Sequence, residues 1–111
     1  MFVQFLNNNL CYANIVMSIA ALELAKSMGL DLQIVTSVIR QSSGASAGFN
    51  VITEDASFRK ITGPTSNVRK DAEHLLEVLA EWGLLQNELT AISRTAANRI
   101  TAYGAEVASA D

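Results

Sequence analysis

The chain has 111 residues, half of them hydrophobic and 17% charged, with 11 acidic against 8 basic side chains. That length holds one hydrophobic core, and the net charge of −3, with no basic run longer than Arg59-Lys60 or Arg69-Lys70, argues against nucleic acid and anionic membranes as partners. A single cysteine, Cys11, makes no internal disulfide, and with no cationic secretion-type N-terminus it points to a reducing, cytoplasmic setting and to a small buried hydrophobe.

From Phe2 to Met28 the apolar residues Leu6, Leu10, Ala13, Met17, Ala20, Leu24 and Met28 recur at helical spacing. Ile15, Ile19 and Leu22 form a second stripe beside them, so the predicted helix is apolar most of the way round and is expected to be covered on several sides. The stretch Leu10 to Ala25 invites a transmembrane reading, but Asn14, Ser18 and Glu23 interrupt it where roughly 20 nearly unbroken apolar residues are needed. Gly29 stops this helix and Asp31 caps a second one, whose apolar face is Leu32, Val35, Val38 and Ile39.

Residues 42 to 66 read as the least regular part, with Ser42-Ser43-Gly44, a short helical turn around Phe49 to Ile52, and the turn Gly63-Pro64. A third helix starts at Ser66 or Asn67, carries Val68, Leu75, Leu76, Leu79 and Trp82, and stops at Gly83. The last helix places Leu89, Ile92, Ala96, Ile100 and Tyr103 on one side and is read as ending at Gly104, with a frayed tail. The pattern is that of a single all-α domain over residues 1 to 111. A first helix of this length spans about 40 Å, whereas a compact globule of this size is roughly 35 Å across. It should overhang, and a second copy in a twofold dimer is the simplest cover for its apolar side.

Chemistry is sparse. No Gly-x-Gly-x-x-Gly follows a strand and no phosphate loop occurs, so a nucleotide-binding unit is not expected. One histidine and one cysteine some sixty positions apart make no metal site. His74 reads as a surface histidine, Trp82 as a core or interface anchor, and Glu73, Glu77 and Glu81 as a solvated face. Two features remain. Asn7-Asn8-Asn9 interrupts an apolar helix with amides that donate and accept at once, as a hydroxylated or carboxylated small ligand requires. Arg69-Lys70-Asp71 sets a lysine just after a loop.

The Asn-Asn-Leu opening of a long helix, "AALELAKSMGLDLQIVTSVI", the "SSGAS" loop, "RKDAEHLLEVLAEWG" and a closing helix occur in an order that resembles the C-terminal helical domain of the β-hydroxyacid dehydrogenase family. That family includes 3-hydroxyisobutyrate dehydrogenase, tartronate semialdehyde reductase and 6-phosphogluconate dehydrogenase. The resemblance implies a helical bundle that dimerises and closes an active site, with NAD or NADP held by a separate Rossmann domain. It assigns Asn8 to the family's active-site asparagine, Asn7 to its neighbour at the substrate, Lys70 to a lysine near cofactor and substrate, and Ser42 to Ser46 to a turn beside the site. At the position of the family's catalytic lysine stands Gln4, whose amide hydrogen-bonds but does not titrate.

Three functions follow as expectations. The first is a dimerising substrate domain that takes a small hydroxy acid, binds no cofactor tightly by itself and performs no hydride transfer alone. The second is one part of an NAD(P)-dependent 3-hydroxy acid oxidoreductase whose Rossmann domain lies on another chain or is omitted. The third is an all-α interaction module.

Overall fold

A computed structural model describes residues 2–64 and 66–110. Six helices account for the regular structure and no strand occurs among the described residues: α1 (Phe2–Ser27), α2 (Leu32–Arg40), α3 (Ala47–Thr53), α4 (Asp55–Thr62), α5 (Val68–Trp82) and α6 (Glu88–Ala110). The local signals explain most boundaries. Gly29 and Gly83 take the left-handed conformation, at φ 77° and 63°, that a side chain resists. Leu30 and Leu84 then donate back to Ala25 and Leu79, which satisfies carbonyls left open at the helix ends. Asp31 caps α2 by accepting from the N–H groups of Gln33 and Ile34.

The region read as irregular contains two helices. Ser46 Oγ accepts from Phe49 N at 3.0 Å and starts α3, and Glu54, in extended backbone, is the one-residue joint between α3 and α4. Short helices such as these are stabilised by what they bury. Phe49 and Ile52 sink into the core formed by Ile15, Ile19 and Leu22 of α1, Val68 of α5, and Ala96 and Ile100 of α6. Gly48 permits this approach: a β-carbon there would lie 2.9 Å from the Cys11 carbonyl oxygen.

Gly104 does not end α6, which remains helical to Ala110, so the expected fraying is not found; Asp111 lies outside the described residues. The glycine instead serves packing. A β-carbon on it would lie 2.7 Å from Thr62 Cβ, and its absence lets α6 lie against the end of α4, beside the edge-on pair Phe58–Tyr103.

The expected overhang is not found, because the protein is longer than a compact globule of its size. The protein measures 46 × 30 × 22 Å and is elongated enough to run alongside its 26-residue first helix. Of the two apolar stripes on α1, the Ile15–Ile19–Leu22 side is buried. On the opposite side Val3, Leu10, Met17 and Leu24 repeat every seventh residue and are 55–77% exposed. By length and composition α1 could cross a bilayer, yet a third of its most apolar window is buried in the protein. Trp82, read as an anchor, is 56% exposed, and α2 has no buried residue. Cys11 is half-buried.

Candidate functional site

The three consecutive asparagines have three different environments. On a helix, Gln4, Asn8 and Tyr12 are successive fourth residues and share one face, and that face meets the first turn of α5. Asn8 Nδ2 donates to Asp71 Oδ2 at 3.3 Å, and the Tyr12 hydroxyl donates to the same oxygen at 2.5 Å. Asn8 Oδ1 accepts from Gln4 Nε2 at 3.1 Å and from Asn7 Nδ2 at 3.3 Å. Asn8 is thereby held at both ends of its amide. Asn9 is fully buried and structural: its Nδ2 donates to the carbonyls of Phe5 and Asp71, tying α1 to α5. Its Oδ1 is buried without a partner among the described residues. Asparagine is a poor helix former, and these ties explain why three are tolerated here.

Electrostatics fix the donors. Burial, followed by the hydrogen bond to Asp71 and that residue's charge, raises the Tyr12 pKa well above the ordinary phenol range, so the hydroxyl stays protonated and donates. Burial likewise pushes the Cys11 thiol up, which makes it a poor nucleophile. Asp71 sits in the first turn of α5, where the helix dipole favours negative charge. The network keeps Gln4 and Asn7 exposed and Asn8, Tyr12 and Asp71 half-buried. Asn8 Oδ1 already accepts twice and Nδ2 keeps one further N–H, so the acceptors not engaged in the network are the amide oxygens of the exposed Gln4 and Asn7.

The structure brings together Gln4, Asn7 and Asn8 but leaves the other expected participants outside the network. Lys70 is exposed, one residue before Asp71, and makes no hydrogen bond or ion pair among the described residues. The Ser42 to Ser46 loop lies further along α1, where Ser43 and Ser46 line a hollow with Asn14 and Ser18. His74 packs edge-on against Phe5 at 5.2 Å. No cluster of metal-ligating side chains occurs among the described residues. Tyr12 carries no signal in the sequence beyond its four-residue spacing from Asn8 and Gln4, and Asp71 stands out there only as the neighbour of Lys70 in Arg69-Lys70-Asp71.

The network lies at the surface, with Gln4 and Asn7 in solvent. Beside it, sharing the first turns of α1, an apolar hollow of about 140 Å³ opens between Phe2, Phe5, Leu6, Leu79, Trp82 and Leu84. No family model, curated protein or solved structure matches this chain.

Proposed function

We propose that the chain is a dimerising substrate domain of the β-hydroxyacid dehydrogenase kind, which offers its amide face to the hydroxyl end of a small hydroxy acid. The observation that carries this reading is the double anchoring of Asn8, between Gln4 and Asn7 on one side and Asp71 on the other. A side chain fixed in this way is already ordered for binding. The amides can donate to and accept from a hydroxyl, while Asp71 repels a carboxylate placed directly on the network. Lys70, exposed at the edge, is the cation available to the acid end of the ligand.

The chain's own residues fit the substrate side of such a site. Gln4 can orient a hydroxyl but cannot carry its proton, and amides of this kind leave the proton transfer undone. In this reading NAD or NADP is held by a separate Rossmann domain. The exposed apolar surface at the start of α1 favours a second reading, an all-α interaction module.

Side-chain amide resonances of the full chain, followed by NMR during titration with a panel of small 3-hydroxy acids, test the first reading. The resonances of Asn7 and Asn8 should move, and Asn8→Ala should weaken binding by about tenfold, the loss of roughly one hydrogen bond. Absence of any shift across the panel, both alone and with an added family Rossmann domain, would refute it. Tight nicotinamide binding by the isolated chain would refute the division of labour.

A further inference from the structure

The corner between α5 and α6 holds a leucine out in solvent on a loop that is fixed on both sides. Gly83 and Leu84 close α5 through hydrogen bonds to Ala80 and Leu79. Asn87 Oδ1 accepts from the N–H groups of Leu89 and Thr90, and Gln86 accepts from Arg94. Between these anchors Leu85 is 93% exposed, the most exposed large apolar side chain described. Leu84, its neighbour, lines the 140 Å³ apolar hollow. A hollow of that volume has room for one leucine side chain.

We propose that this end of the molecule is a twofold interface between two copies of the chain, in which Leu85 of each copy fills the apolar hollow of the other. The proposal rests on the dimer in the function proposed above and names its surface. A twofold contact uses the same patch on both partners, so a projection next to a hollow is self-complementary when the axis passes between them.

Area supports the same occupant. Phe2, Val3, Leu6, Trp82, Leu84 and Leu85 are 47–93% exposed. Taking 150–250 Å² for an aromatic side chain and somewhat less for an aliphatic one, they present roughly 650 Å² of apolar surface. The largest apolar patch of an ordinary monomer is about 300–600 Å², and a standard interface buries about 800 Å² per partner. Six side chains thus supply most of what a stable dimer needs, with a polar rim left to complete it. Because the loop is already ordered, association forfeits little conformational entropy at Leu85. The other exposed apolar region, which includes Met17, Leu24, Ile34 and Val38, adjoins a hollow of mixed lining, where Asn14, Ser18, Ser43 and Ser46 stand among Met17, Ala21, Ile39 and Phe49, so a leucine entering it would meet polar groups that the hollow beside Trp82 lacks.

The sole tryptophan, Trp82, lines the apolar hollow and reports on it directly. Sedimentation equilibrium and Trp82 emission are measured on the full chain across a wide concentration series. Wild type should convert from monomer to dimer with a blue shift of emission. Leu85→Asp should raise the dissociation constant by about 100-fold, since a charge would enter an apolar hollow. Its thermal unfolding, measured where both proteins are monomeric, should match wild type, because Leu85 touches little within its own chain. Ile34→Asp should leave association unchanged.

A dimer that survives Leu85→Asp overturns the interface while leaving the dimeric reading intact, the more clearly if Ile34→Asp dissociates it. A wild-type chain that stays monomeric throughout overturns both the interface and the dimer, whereas hydroxy-acid binding is judged separately by the amide titration.

Discussion

Replacing Gly48 by alanine sets helix propensity against packing, and the structure decides between them. In the first turn of α3 the change gains at most about 1 kcal/mol of propensity. Against this, the new β-carbon would stand 2.9 Å from the Cys11 carbonyl oxygen and 3.0 Å from Asn14 Cβ and Ile15 N. Two of these three are backbone atoms of α1 and cannot rotate aside. The contact must open by roughly half an ångström to become ordinary, which draws the neighbouring Phe49, 1% exposed, out of the core. Overpacking of this sort costs about 1–3 kcal/mol, and partial loss of the Phe49 contacts adds to it. We expect a net destabilisation of about 1–2 kcal/mol and a Tm lower by about 5 °C. Urea unfolding followed by helical circular dichroism at one fixed protein concentration measures it, since association would otherwise shift the midpoint. An alanine variant as stable as wild type would show that α3 does not lie directly on the backbone of α1.

Two further changes probe charge. The raised Tyr12 pKa means that the folded chain holds the phenolic proton more tightly than the unfolded chain, whose ordinary value is 10.0. Its contribution to stability is therefore complete below that pH and is lost as the pH rises through the higher folded value. Urea midpoints taken through the alkaline range should fall less steeply in Tyr12→Phe than in wild type; equal slopes would contradict the assignment. The Arg99–Glu23 pair joins α6 to α1 with side chains 33% and 37% exposed. Solvent screening limits its worth, and Arg99→Gln should cost under about 1 kcal/mol, with the difference vanishing in high salt. A loss of several kcal/mol would mean that the pair is shielded from water.

The three long helices were legible because each announces itself locally. Gly29 and Gly83 act on their own neighbours to close α1 and α5, and the apolar periodicity of α1, α5 and α6 extends over enough turns to be read. The short helices α3 and α4 were not, because seven and eight residues hold too few periods and their stability comes from burial against α1 and α6. Gly104 misled for a related reason: a glycine near the end of a helix signals a stop, whereas here it makes room for Thr62, forty-two positions earlier. At the site, the amides were visible in sequence. Their partner was not, since Asp71 reaches Asn8 only once α1 and α5 lie side by side.

That the first and last helices pack on one another, with Arg99 reaching back to Glu23, has a consequence for biosynthesis. A ribosome delivers α1 long before the α6 that shelters it, and α4 likewise waits for the turn carrying Gly104. Throughout that interval the nascent chain carries an oily helix without its mate. Such a polypeptide matures after its closing segment emerges, and until then it depends on a chaperone or on speed to stay out of aggregates.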